Sequence, residues 1–488
     1  MQAAHIPAAF SQLFRSAADW NYDTVPQPEL DGREIYWPRG KLLGGSSSMN
    51  AMMWVRGFAA DYNHWADVAG PGWSWPALAP YVQRVERVAG ATRDDQGIGG
   101  AVHVEAQRDP RSHTAAFLTA AGQAGYRLEE ANLPSPDGFC ATTVTQHRGA
   151  RFSAADAYLR SARHRPNLAV RTGVEAQRLV IEGGRAVGVQ CVTGGVSHTL
   201  RARREVIVCA GAINTPALLM RSGIGDPKSL AGLGIDPIVK APEVGANLAD
   251  HLTSGLIVPA DGDTLLDARK PRELAAYLTR RRGMLTSNVA EAYGFVRTRG
   301  DLALPDVEIL FAPVAYVGEG LVPPPAHGLT IAAILLQPRS TGTVQLVSAD
   351  PAVPPRIDPR YLSDPADRET LLAGLAVCEQ ILRQPALSGG RPVRFLLPEN
   401  ADHLPERERD TLALHGYAHT LYHPVGTARM GSDPESVVDP DLRVRGVTRL
   451  RVADASVMPR IIRGHTHAPT LLIAERAADL VRSAAVAD

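Results

Sequence analysis

Three groups of residues in this chain have the types and spacing for chemistry. His415, His419 and His423 recur at every fourth position of HGYAHTLYH, which puts three imidazoles on one face of a helix. Imidazole serves as a metal ligand or as an acid and base near neutral pH. Pro424 follows His423 directly and must end a helix there, and the carboxylate pattern of a His-Glu-x-x-His protease is missing. We expect His415 and His419 to be helix-side residues, His423 to stand apart at the helix end, and no metal site. The second group, His465 and His467, sits in RGHTHAP, just ahead of a helix led by Pro469. A helix start carries free N–H groups and partial positive charge, which favour an anion and discourage protonation of a neighbouring imidazole. Two uses fit this pair: acid–base work beside a bound cofactor, or simple capping. The third group is Gly44-Gly45-Ser46-Ser47-Ser48-Met49-Asn50, where adjacent glycines admit a flat or anionic ligand and the hydroxyls and amide supply donors. It lacks the Gly-x-Ser-x-Gly order of a nucleophile elbow, so a serine hydrolase is not expected.

The elements that must position these groups follow from turns and periodicity. Residues 153–163 read as a helix with Ser153 as its N-cap. Strand-like runs at 167–172, 177–181, 186–192 and 196–200, with Gly183-Gly184 and Gly194-Gly195 between the later ones, predict a small antiparallel sheet. Residues 204–209 form an apolar strand of the buried type, followed by a helix starting at Asn214-Thr215-Pro216. The same strand, loop and Pro-led helix recur at 449–453 and 468–482. Two such units far apart predict one α/β domain interrupted by an insertion. The insertion, 252–420, mixes helices at 272–282 and 368–383 with strands at 291–296, 329–337 and 343–346, as an α+β lobe does.

Composition narrows the function classes. The 488 residues carry 51 basic and 51 acidic side chains, a net charge of +0, so neither a nucleic-acid groove nor a polybasic membrane patch is expected. Cys140, Cys191, Cys209 and Cys378 are scattered, which argues against a disulfide scaffold and for a reducing compartment. No apolar run approaches the ~18 residues of a membrane span, and no secretory signal opens the chain. The expected location is the cytoplasm, at most peripheral at a membrane.

Five ordered segments carry a family resemblance: 38–50 with Arg56-Gly57, 211–219 closing in 222–225, 244–251, 422–431 and 452–459. Together they resemble the glucose–methanol–choline (GMC) family of FAD-dependent oxidoreductases, in its bacterial choline and alcohol dehydrogenase branch. The resemblance implies an FAD-binding Rossmann-like α/β domain with an inserted α+β substrate-binding lobe on an antiparallel sheet: 1–251 the main part of the FAD domain, 252–420 the lobe, 421–488 the segment completing domain and active site. It implies oxidation of a primary alcohol to an aldehyde, His423 taking the hydroxyl proton while hydride passes to flavin N5, with His467 at the second active-site position. Gly44, Gly45, Ser46, Asn50 and Met53 would line the flavin and pyrophosphate. Asp454 and Ala455 would touch the diphosphate or ribityl chain, Ala176 the adenine, and His465 and the Pro469 helix would complete the cofactor site. Glu291 would face either substrate or solvent. The partners implied are a small alcohol and an electron acceptor, quinone or O₂. Choline would call for an aromatic cage or a carboxylate at the cation site, and no residues are assigned to one, so an aliphatic or aromatic primary alcohol is expected. A lyase on the same fold and a non-catalytic, FAD-deficient homologue are the alternatives. The departure is the absence of any Gly-x-Gly-x-x-Gly. Family members open with a βαβ unit carrying it, so the N-terminal βαβ is expected to be missing and the chain to be a shortened member.

Overall fold

Aromatic residues hold the first part of the chain. The computed structural model describes residues 3–487, and in it Trp54, Tyr62, Trp65 and Trp73 are fully buried among short 3₁₀ turns and the helices Ala59–Ala69 and Trp75–Val85. Helix α1, Ser112–Gln123, and strand β1, Phe139–Ala141, come next. Ser153 and Asp156 then cap one another, Ser153 N–H donating to the Asp156 carboxylate at 3.0 Å and Asp156 N–H to Ser153 Oγ at 3.3 Å. The helix they start is a single π-type turn, Ala155–Leu159, continued only by Arg160–Ala162.

Strands β2 (Val174–Glu182), β3 (Arg185–Thr193) and β4 (Val196–Arg201) pair antiparallel in the order β4-β3-β2. The Gly-Gly turns between them have φ of 58° and 74°, and 56° and 82°, left-handed values that glycine adopts freely. The strand expected at 167–172 does not form. That segment is exposed.

Strand β5, Val206–Val208, pairs in parallel with a strand more than two hundred residues later, in register Val206↔Leu450 and Val208↔Val452. The interrupted α/β topology is therefore real. The strand is not buried on both faces as expected: Ile207 is 44% exposed. Helix α2 is Gly211–Arg221 and starts ahead of the expected Asn214. Pro216 thus lies inside it, unable to donate to the Ala212 carbonyl. Thr427 Oγ1 donates to that carbonyl instead, at 2.6 Å.

The lobe is built on β6 (Leu252–Pro259), β7 (Ala292–Val296), β8 (Val307–Ala312), β9 (Gly328–Leu335) and β10 (His419–Thr420). With β1 they form one six-stranded antiparallel sheet, β10-β6-β9-β8-β7-β1. Side chains alternate across it. Leu256, Ile309, Phe311, Ile331 and Ala333 face the apolar core under helices α3 (Pro365–Leu382) and α4 (Glu406–Tyr417). Gly374 lets α3 sit close, since a Cβ there would lie 2.8 Å from that of Ala333. The lobe also reaches outside 252–420: β1 is an edge strand of its sheet, and Phe117 of α1 stacks on Phe311 at 4.6 Å. The domain boundary expected at 251 thus leaves α1 and β1 on the wrong side.

Helix α4 ends at Tyr417, Ala418 is extended, and His419 belongs to β10. The three histidines at fourfold spacing therefore share no helix face. Strand β11, Leu450–Val452, and helix α5, His467–Ala487, complete the chain. Among the described residues no helix is long and apolar enough to cross a membrane.

Candidate active site

Between the lobe sheet and the β5–β11 pair lies a cavity of about 1510 Å³. Gly44, Gly45, Ser46, Asn50, Met53, Ala176, His423, Asp454, Ala455, His465 and His467 all line it. Pro469, one turn into α5, does not reach it. The lobe contributes its second sheet face: Thr253, Gly255 and Ile257 of β6, Leu310 and Ala312 of β8, and Ala332 of β9.

The Gly-Ser loop is a tight 3₁₀ turn, Gly45–Ser48, entered with φ of 87° at Gly44 and 54° at Gly45. A Cβ on Gly44 would collide with Ser48 Oγ, whereas one on Gly45 meets no atom within 4 Å and would project into open space. The hydroxyls are turned inward: Ser47 Oγ donates to Gly44 O at 2.6 Å and Ser48 Oγ to Leu43 O at 2.7 Å. Arg151 holds the loop from behind, donating to Asn50 Oδ1 at 2.7 Å, Ser47 O at 3.2 Å and Ala4 O at 2.8 Å. Burial pushes its guanidinium down to about 9. No motif on the sequence pointed to this arginine.

Asp454 has less to offer a ligand than expected. One carboxylate oxygen accepts from Gly211 N–H at 2.9 Å and Thr215 Oγ1 at 2.6 Å, the other from Ser456 N–H at 2.8 Å and Ser456 Oγ at 2.6 Å. It is an anion placed on the α2 N-terminus, and it ties that helix to the end of β11. The open backbone of Gly211, where a Cβ would meet nothing within 4 Å, is what remains toward the cavity.

The histidines divide sharply. His423 N–H donates to Asp250 Oδ1 at 2.7 Å, and Asp250 Oδ2 accepts from Thr420 Oγ1 at 2.6 Å and from Tyr361 OH. Nδ1 of His423 lies 2.9 Å from Nδ1 of His251, whose Nε2 lies 3.1 Å from the Leu336 carbonyl oxygen. Burial, then the charges of His465, His251 and Arg39, hold His423 well below the usual imidazole range. Burial first, and His465 second, bring His251 to about 3. The ring beside His423 is His465, edge-to-face at 4.8 Å, with its Nε2 3.0 Å from the wholly buried carboxylate of Glu308. His467 was expected there. Instead its ring sits edge-on to Trp54 at 5.6 Å, with both nitrogens buried and without partners, and burial lowers it to about 4. The positions of His465 and His467 relative to His423 are thus the reverse of the expectation. Glu291 faces neither substrate nor solvent: it accepts from Arg111 N–H at 2.7 Å, Thr114 Oγ1 at 2.5 Å and Ser287 Oγ at 2.6 Å. Asp250 and His251 close the 244–251 segment that carries the resemblance but were given no role there, and Glu308 was not singled out, because what places all three is contact with distant elements, which no spacing records.

A lobe with an antiparallel sheet, packed on an interrupted α/β unit and enclosing a cavity with two buried histidines, defines a two-lobed α/β + α+β oxidoreductase. The chain belongs to the GMC oxidoreductase family, whose N-terminal and C-terminal sequence profiles match residues 10–253 and 338–474. It is 57% identical to an uncharacterized GMC-type oxidoreductase of Mycobacterium tuberculosis, over 98% of this chain and 91% of that one. It is 36% identical to the alcohol dehydrogenase [acceptor] of Pseudomonas putida, over 98% and 88%. Among solved structures, a point variant of the formate oxidase of Aspergillus oryzae superposes with a TM-score of 0.90 at 28% identity, covering 99% of this chain and 91% of that one.

The cofactor that this family membership assigns is FAD. The cavity fits it. Gly45 and Gly211 offer bare backbone where any side chain would intrude, and the two orphaned nitrogens of His467 await a polar partner.

Proposed function

We propose that this protein oxidises an uncharged primary alcohol to an aldehyde, with His423 accepting the hydroxyl proton. Bound FAD supplies the hydride acceptor. One observation carries the reading: a neutral, buried His423 lines the cavity with His465 at 4.8 Å. An imidazole kept neutral at physiological pH is a competent base. Asp250 fixes its backbone, and β6, β8 and β9 form an apolar wall of the cavity. His465, placed by Glu308, supplies the second polar group facing the alcohol oxygen. The sheet wall supports this substrate class. Thr253, Gly255, Ile257, Leu310, Ala312 and Ala332 are small or apolar and carry no charge, so an aliphatic or aromatic alcohol is accommodated without an unpaired ion. Electrons then leave to an external acceptor, quinone or O₂, and peroxide formed in air separates the two.

The test is anaerobic mixing of the FAD-loaded protein with benzyl alcohol or 1-butanol. Flavin absorbance is expected to bleach, and His423→Ala to slow bleaching by about 10²–10⁴-fold, the usual worth of a positioned base. A yellow protein that no alcohol bleaches points to the lyase reading, and a colourless one to a homologue that binds no FAD. Either result removes the proposal.

A further inference from the structure

His423 can act as a base through only one of its ring nitrogens, and the hydrogen bonds around it decide which. The chain of contacts starts at a group of fixed character: the Leu336 carbonyl can only accept. His251 Nε2, 3.1 Å away, therefore carries a proton. Burial keeps His251 neutral, so its Nδ1 is bare and can only accept. The group 2.9 Å from that bare nitrogen is His423 Nδ1, which must then be the donor. His423 is neutral as well, which leaves its Nε2 unprotonated. Among the described residues no side chain or backbone group hydrogen-bonds to Nε2, while the His423 ring lines the cavity.

We propose that His251 is a positioning residue: by accepting from Nδ1 of His423 and donating to the Leu336 carbonyl, it fixes the tautomer in which Nε2 of His423 is the base toward the alcohol. The proposal rests on the reading of His423 as the proton acceptor. His251 is not among the residues lining the cavity and acts only through His423. The arrangement resembles in logic the buried aspartate of a Ser-His-Asp triad, with one difference. An aspartate stabilises the imidazolium, whereas a neutral histidine with no charge to offer orients the ring without raising its basicity much.

Nitrogen-15 labelling of the histidines in the full FAD-loaded chain reads the tautomer directly, because protonated and bare ring nitrogens resonate far apart. The His423 signals, identified by their loss in His423→Ala, are expected in the Nδ1-protonated form in the native protein. His251→Gln should keep that form, since its amide can accept from His423 and donate to Leu336, and His251→Leu should give a mixture. Bleaching by benzyl alcohol is expected to slow by about 10²-fold in His251→Leu, short of the ~10⁴-fold that a wrong tautomer costs in a Ser-His-Asp triad. The alcohol concentration for half-maximal rate should change little, and His251→Gln should recover to within about tenfold of the native rate. Native His423 protonated on Nε2 overturns the proposal. So does a His251→Leu variant with native tautomer and rate. Should His251→Leu fail to fold, the native and His251→Gln spectra decide alone. If His423→Ala bleaches as fast as the native protein, the base reading fails, while the tautomer measurement still answers for His251 by itself.

Discussion

Strands β5 and β8 are both short and mostly apolar, Glu308 of β8 apart, and each has an isoleucine near its middle, yet they live in opposite conditions. Ile309 of β8 has no exposed surface, enclosed by β7, β9 and helix α3 in a six-stranded sheet. Ile207 of β5 is 44% exposed, in a strand whose one partner is the three-residue β11. The lobe therefore carries its stability in its own side-chain packing. The β5–β11 side instead surrounds a cavity, and groups there such as the nitrogens of His467 and the backbone at Gly45 and Gly211 are arranged toward what the cavity holds. One half is sealed by its own side chains, and the other borders an open cavity.

Four measurements would break or sharpen that contrast. The largest effect is expected from Ile309→Ala, which leaves a cavity in a sealed core and should cost about 2–5 kcal/mol, read by denaturant unfolding, with flavin absorbance retained where the protein is folded. Loss of FAD at equal foldedness would show that the lobe is not independent of the cofactor half. Next, free FAD at about 100 times its dissociation constant should stabilise the protein by about 2.7 kcal/mol. Hydrogen exchange should slow at Gly44–Asn50 and at the start of α5 and stay unchanged in β6, β8 and β9. Equal slowing everywhere would erase the distinction between the halves.

The third concerns pH. Asp410, under the lobe, is pushed up to about 7 by burial and then by Glu379 and Glu406, above the ~3.9 of an unfolded aspartate. The folded state then holds a proton that the unfolded state releases, so stability is lost as pH rises from about 4 to about 7. Asp410→Asn should remove that loss and melt about 2–4 °C above the native protein beyond pH 7, the shift that 1 kcal/mol makes in a large domain. Parallel melting curves of the two proteins across that range would refute the assignment. The smallest effect is expected from Ile207→Ala, about 1 kcal/mol or less, since much of its side chain already meets solvent. A cost matching that of Ile309→Ala would mean that β5 is covered in solution.

Much of this was legible before the fold was known, and the reasons are local. The Gly-Gly pairs at 183–184 and 194–195 name their own turns, and the repeated strand-then-helix pattern foretold one interrupted α/β unit, whose strands β5 and β11 the fold pairs in parallel. His423 stood out because Pro424, directly after it, must end any helix there. What misled was also local. The fourfold spacing of His415, His419 and His423 is helical only if the helix continues past Tyr417, and β10 pairs with β6 there instead. Pro216 looked like a helix start because nothing in the text showed Thr427 waiting for the Ala212 carbonyl.

Residue types and short spacings on the chain determined the turn chemistry, the interrupted α/β topology, the family, and the separation of His423 from the other two histidines of its run. They act over a few residues, where backbone sterics and side-chain caps decide the outcome. Tertiary structure alone decided that His465 and not His467 stands beside His423, that Arg151 holds the Gly-Ser loop, and that a carbonyl at Leu336 reaches through His251 to His423. Proton placement and desolvation depend on which groups are brought within about 3 Å of one another, and only the packing of distant strands sets those distances.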